Sequence, residues 1–394
     1  LLGTACFTKN SKTKRLKKIM RNVMSWIKII FTNIFITFSL LGMLLLAPPI
    51  AYLFYSQLFN SQTKNSSQDT RATLDLYSGF EWASTHFNEF SILNTTYFDY
   101  ITWRRDDFEG DTITIVNGLR ATYEPTNLNS NADEYFFFGG STTWGTGVND
   151  ENTYPSIFAK RLSTHVNNFG ETGYIARQSL ALLTNYFVDK SLSDLSGQHI
   201  VFYDGVNDVA HRCRSEISGL GNVREQQIQS VLSSITNEKY SFGKLFEQLT
   251  QFLQAVTRRL GMVSASTIAS ENYACSSDPK RAEEIAKTLV ETWQVASDLV
   301  IKRGGKFTAI LQPVAFIGSA NIGYLELTSA NDTALSMQYE TVYPLIRQFA
   351  AAANIDFVDL SSVYDDCNNC YIDFCHVGPQ GHQILVDNLV NSIN

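Results

Sequence analysis

Apolar residues concentrate in short runs that end abruptly at glycine or a polar side chain: YFFFGG at 135–140, HIVFYDG at 199–205, KFTAILQ at 306–312 and DFVDL at 356–360, with a weaker run at 166–169. Runs this short, rich in aromatic and β-branched residues and lacking polar alternation, predict strands buried on both faces. Between them lie longer stretches whose apolar residues recur every three or four positions, at 153–164, 176–190, 281–303, 338–353 and 379–393. These predict helices, and Pro379 suits the first turn of the last one. The alternation predicts an α/β domain over residues 133–394, with a parallel sheet covered by helices on both faces. It weakens over 213–279, which reads as an insertion or lid with a helix-like part at 240–260.

Upstream the pattern differs. Residues 71–132 form an aromatic-rich preamble segment in which Ile113 and Ile115 alternate with polar residues before Asn117-Gly118, the signature of a short hairpin. Residues 56–70, which include NSQTKNSSQDT, are polar and aperiodic and read as a stalk. Residues 29–55 carry no charge and exceed the ~20 apolar residues that a bilayer core requires, so a transmembrane helix is expected there. A buried core helix and a cleaved signal peptide are the alternatives. A signal's apolar region runs only about 7–15 residues and ends at a small-residue cleavage site, and no clean site follows here. Residues 1–28 are basic, with Lys9, Lys12, Lys14, Arg15, Lys17, Lys18 and Arg21, and such a segment stays in the cytoplasm. The remainder is therefore expected on the far side of a single-pass membrane anchor: periplasmic, extracellular or lumenal.

With 394 residues, 44% hydrophobic and 18% charged, the chain can bury a large core. A net charge of −7 argues against a nucleic-acid partner, which needs a clustered basic surface. Five cysteines (Cys213, Cys275, Cys367, Cys370, Cys375) follow the span, in a compartment that would favour disulfides, and an odd count leaves at least one thiol free or paired with another chain. Zinc at Cys367, Cys370 and Cys375 is the alternative, although a second ligand pair at finger-like spacing is missing; no metal or other cofactor is expected. Asn65, Asn94 and Asn331 begin glycosylation sequons, relevant only in a eukaryotic host.

Ligands of open α/β sheets bind at the carboxyl ends of strands, and three of the apolar runs end in reactive residue types. After the first comes Gly139-Gly140-Ser141-Thr142-Thr143-Trp144, where glycines permit a tight turn that would expose Ser141. After the second comes Asp204-Gly205-Val206-Asn207-Asp208; the Asn207 amide would suit a developing oxyanion and Asp208 could brace the loop, although an Asx turn would use the same residues. Near the C-terminus, Asp373-Phe374-Cys375-His376 precedes the last helix. An Asp three residues before a His on one loop can accept the imidazole N–H and leave the other nitrogen to take a serine proton.

Taken together, Ser141 in GGSTTWGTG, Gly173 in NFGETGY, Asn207 in YDGVND, and Asp373 with His376 in DFCHVGPQGH resemble the sequence blocks of the SGNH (GDSL-like) hydrolase superfamily. The resemblance spans about 133–394, and NGLR at 117–120 is similar to the lead-in of membrane-bound bacterial members with a GGST block. It implies a three-layer α/β/α sandwich with a flavodoxin-like sheet. It also implies a Ser141–His376–Asp373 triad, and an oxyanion hole of the Ser141 N–H, the Gly173 N–H and the Asn207 side chain. Gly173 would serve because no Cβ blocks the approach of the substrate. The departure is Gly140, where the GDSL form has Asp. His382 is expected to be structural, and His211 and Gln312 are expected to line the pocket.

The expected activity is serine esterase chemistry on acyl esters, O-acetyl esters included, of carbohydrates, lipids or other extracytoplasmic substrates. Acyl transfer to or from a glycan is the alternative within that chemistry, and a non-catalytic binding or assembly protein on the same fold is the alternative outside it.

Overall fold

A computed structural model describes residues 17–40, 42–43, 69–189, 194–217, 221–222, 224–229 and 272–393. The chain divides into two compact units. The first, 1–65 with 237–268, is described through helix α1 (Lys17–Leu40), long and apolar enough to cross a membrane. Helix α1 covers the first part of the expected span at 29–55 and begins earlier, within the basic segment. Residues 44–55 of that span, the stalk up to 68, and 230–271 of the insertion lie outside the described residues.

The second unit comprises 66–236 and 269–394. Its main sheet is eight-stranded. The five parallel strands are β6 (Glu134–Gly139), β7 (Val166–Asn168), β8 (Gln198–Asp204), β9 (Lys306–Leu311) and β10 (Phe357–Asp359), in the order β10-β9-β8-β6-β7. Beyond β7 the sheet continues antiparallel through β5 (Leu119–Arg120), β4 (Thr114–Val116) and β3 (Phe108–Glu109). Segment 71–132 thus extends the sheet of 133–394. Asn117 and Gly118, at φ 53° and 71°, make the hairpin turn between β4 and β5. A separate pair, β1 (Thr95–Thr96) with β2 (Arg104–Arg105), is also antiparallel.

The absence of polar alternation has a direct structural meaning, because successive side chains serve opposite cores. Phe136 and Phe138 of β6, with Ile200 and Phe202 of β8, face helices α5 (Ala176–Asp189), α7 (Pro279–Ile301) and α8 (Ala330–Ala352). Tyr135 and Phe137, with Val201 and Tyr203, face α4 (Tyr154–Leu162) and α9 (Pro379–Ile393). This is a three-layer α/β/α sandwich. The sequence pattern placed the start of α8 at 338, but the helix begins at Ala330. Its first turn is polar, and Ser329 with Asp332 forms a capping box that apolar periodicity does not reveal. Three further helices are short: α2 (Ala83–Ile92), α3 (Ser141–Trp144) and α6 (Val206–Arg212).

Candidate active site

Strand β6 carries the chain to Gly139, and α3 begins two residues later, so Ser141 stands at a strand-to-helix turn. Its N–H is the first of that turn and has no intrahelical acceptor. The next residues anchor it. Thr142 Oγ1 accepts from the buried Gln312 amide at 2.8 Å, and Thr143 Oγ1 accepts from the Tyr154 hydroxyl at 3.0 Å. Gln312 is therefore a brace under the serine turn, not the pocket-lining group expected from its place at a strand end; at 4% exposure it has no solvent face to offer. Below the turn Arg120, fully buried, donates to the carbonyls of Thr112, Trp144, Gly145 and Val148 and to Asp150, with its guanidinium 4.3 Å from the Trp144 ring centroid. Those bonds hold the C-terminal end of α3 and the loop after it.

The histidine arrives on the loop 371–378, closed by a bridge between Tyr371 and Val377 and by the Ile372 N–H donating to the His376 carbonyl at 2.9 Å. His376 Nε2 lies 2.6 Å from Ser141 Oγ, and Nδ1 lies 2.7 Å and 2.9 Å from Asp373 Oδ2 and Oδ1. Asp373 Oδ1 also accepts the N–H groups of Cys375 and His376 at 3.0 and 2.8 Å. Burial by itself would raise the Asp373 pKa. The imidazole beside it, and these hydrogen bonds, hold it instead below the usual carboxylate range.

Arg71 donates from Nη1 to Asp373 Oδ2 at 3.1 Å and from Nη2 to Asp69 at 2.8 Å, over the Phe87 ring. One guanidinium thus links the start of the second unit's described chain to the carboxylate behind the histidine.

Asn207, second residue of α6, donates its side-chain N–H to the Tyr174 carbonyl at 2.8 Å. A Cβ at Gly140 would lie 2.5 Å from this Nδ2, so a larger residue there requires the Asn207 amide to shift. Among the described residues, Trp103 and His211 Nε2 lie within 4 Å of a Cβ placed at Gly173, at 3.7 and 4.0 Å, and its φ of +78° favours glycine. His211 thus sits beside Gly173. Asp208 lies within α6 and not on a loop; it accepts the N–H of Ala176, the first residue of α5, at 3.1 Å and pairs with buried Arg212 at 3.2 Å. His382 is buried, with Nδ1 accepting the first N–H of α4, from Tyr154, at 3.0 Å.

Two disulfides, Cys213–Cys275 and Cys367–Cys370, leave Cys375 as the free thiol among the described residues. The second disulfide removes two of the three sulfurs that zinc would have used. Donor atoms of Asp373, Cys375 and His376 lie within 4.8 Å of one another, but the carboxylate and imidazole already bond to each other. Burial and the nearby Asp373 charge push the Cys375 thiol well above its ordinary pKa.

Arg71 was missed in the sequence, and Arg120 was seen only as part of NGLR. Missed too was Glu171 within NFGETGY, fully buried, which accepts the Arg105 N–H at 2.9 Å and the Thr172 N–H at 2.7 Å and pairs with the Arg105 guanidinium at 3.5 Å.

No family model matches the sequence, and no curated protein matches it. Solved structures that align with it include G-D-S-L and SGNH hydrolases and acetylesterases. A member of the lipolytic protein G-D-S-L family from Veillonella parvula is 14% identical with a TM-score of 0.38, over 66% of this chain and 97% of that one. An acetyl xylan esterase is 14% identical with a TM-score of 0.38, over 66% and 100%. A carbohydrate acetylesterase family member from Sinorhizobium meliloti is 18% identical with a TM-score of 0.32, over 65% and 95%. At such scores no residue role transfers, and the contacts above stand alone.

Proposed function

We propose that this chain is a serine esterase acting on acyl esters, with Ser141 as nucleophile, His376 as base and Asp373 as its orienter. One observation carries the reading: Ser141 Oγ lies 2.6 Å from an imidazole whose other nitrogen is held by a carboxylate. Asp373 accepts the Nδ1 proton, which leaves Nε2 bare toward the serine. As Oγ attacks the ester carbonyl, its proton passes to Nε2 and the carbonyl oxygen takes up negative charge. The Ser141 N–H, the Gly173 N–H and the second N–H of the Asn207 amide are the donors for that oxyanion. Collapse of the intermediate breaks the ester C–O bond, and His376 protonates the leaving alcohol. Water then attacks the acyl-serine by the reverse route, releasing the acid and restoring the serine.

Helix α1 is proposed as the membrane anchor, with its basic end cytoplasmic and the second unit outside. Two disulfides in that unit accord with an oxidising compartment.

The test uses full-length protein with a fluorophosphonate probe and an activated acetyl ester. Labelling and turnover are expected, with both lost in Ser141→Ala at unchanged thermal stability. Labelling that survives Ser141→Ala moves the nucleophile elsewhere, and a wild type that neither labels nor turns over is a binding protein on this fold. A glycan added as acceptor separates transfer from hydrolysis by the acylated product.

A further inference from the structure

Next to Gly173 lies a cavity of about 660 Å³, within the range of small-molecule sites. Its walls include Thr95, Tyr97, Trp103, Arg224, Gln227 and Ile228. Trp103 joins it to the candidate active site: the indole Nε1 donates to the Thr172 carbonyl at 3.2 Å, and the ring edge is 3.7 Å from where a Gly173 Cβ would be. Trp103 and the residues around Arg224 are tied down. Tyr174 donates its hydroxyl to the Trp103 carbonyl at 2.5 Å, and Asn222 donates to the Gly173 carbonyl at 2.8 Å while accepting the Arg224 N–H at 2.9 Å.

The wall chemistry is mixed in a specific way. An acyl chain would call for aliphatic walls throughout. Here Tyr97 and the buried Trp103 stand beside threonine hydroxyls and the Gln227 amide, which suits a sugar ring, with one apolar C–H face and an edge of hydroxyls. Tyr97 is 64% exposed and can take such a face. Arg224 adds charge. Its guanidinium lies 4.7 Å from the Trp103 ring centroid and donates to Thr95 Oγ1, and a guanidinium keeps further N–H groups that can meet a carboxylate as a fork. The neighbouring Arg105 is paired with buried Glu171, so the charge the cavity displays is that of Arg224.

We infer that this cavity is a subsite for a carboxylate-bearing sugar on the alcohol side of the ester, with Arg224 as the specificity residue. The inference rests on the esterase reading for its place in the reaction, but not for its binding chemistry.

The binding arm uses full-length Ser141→Ala protein titrated with an oligogalacturonate and with a neutral cello-oligosaccharide of equal length. The acidic oligomer is expected to bind at least about tenfold more tightly at low salt, the scale of one charge-assisted hydrogen-bonded pair. The preference should shrink as salt rises and disappear in Arg224→Gln, with Arg224→Lys falling between because it keeps the charge and loses the fork. The kinetic arm uses wild type and Arg224→Gln. Turnover of a small activated acetyl ester should be unchanged, while kcat/KM on acetylated oligogalacturonate drops by a similar factor, through KM. Equal binding of the two oligomers, or acidic binding that is indifferent to residue 224 in both variants, overturns the subsite. Arg224-dependent binding by a protein that turns over no ester leaves the subsite standing and removes the esterase reading instead.

Discussion

Ser141 stands on regular structure: a buried strand, one helical turn, and a set of short bonds from Gln312, Tyr154 and Arg120 that fix the turn from beneath. His376 stands on a loop without helix or named strand, held by cross-links, namely the Tyr371–Val377 bridge, the nearby Cys367–Cys370 disulfide and the Asp373–Arg71 pair. Each side has its arginine. Arg120 meets four carbonyls and one carboxylate and is fully buried; Arg71 meets two carboxylates and is one-quarter exposed at its side chain. The serine's support is therefore a folding problem and the histidine's an electrostatic one, so equivalent damage to the two should be read out in different measurements.

The largest expected effect is on the histidine side. Asp373→Asn should lower kcat/KM by on the order of 10⁴, because the amide oxygen would stay on the Cys375 and His376 N–H groups and turn its NH2 toward Nδ1, which puts the wrong tautomer before Ser141. A loss near tenfold would show that the backbone of 371–378 alone orients the ring. Next, Arg120→Met should destabilise the fold by ~3–5 kcal/mol, since it strands Asp150 and several buried carbonyls. Thermal melts read this. Activity per folded molecule at low temperature should persist, and its collapse while the fold survives would erase the distinction between the two sides.

Arg71→Gln should have a smaller effect, of roughly tenfold in kcat/KM, the scale of one charge-assisted bond. Removing the cation that shares Asp373 should also displace the pH profile of kcat/KM toward higher pH. Added guanidinium should partly restore an Arg71→Gly protein. A fall in rate without either signature would make Arg71 a packing residue like Arg120.

The smallest effect concerns His382, which burial, then the charges of Arg120 and His376, push down to about 3. Between about 6.5 and about 3 the unfolded chain takes up a proton that the folded His382 refuses. Its contribution is therefore complete above about pH 6.5 and is lost as pH falls toward 3. His199, lowered to about 4 mainly by burial, acts in the same sense. Tm should fall from pH 7 to pH 4, less steeply in His382→Gln; an identical slope in the variant would assign the loss to other groups.

The same contrast explains what could be read in the sequence. The strands around Phe137, Val201 and Ile310 were legible because both faces are buried, which leaves an unbroken apolar run. Ser141, Asn207 and the Asp373–His376 pair were legible because each follows such a run or sits on one tight loop, where local spacing constrains geometry. Arg71 was not, since 302 residues separate it from Asp373 and nothing near it in the chain requires an arginine. Arg120 and Glu171 were hidden for a related reason. A buried charge is justified only by its partners, and these lie on segments brought together by the fold.

The Cys213–Cys275 disulfide carries a consequence of its own. It joins positions 62 residues apart, with their Cα atoms at 5.2 Å, where α6 ends and the approach to α7 begins. In chain-entropy terms such a closure is worth on the order of 4 kcal/mol. It also means that a protease cutting between the two cysteines yields two polypeptides that still travel as one particle until a reductant is added.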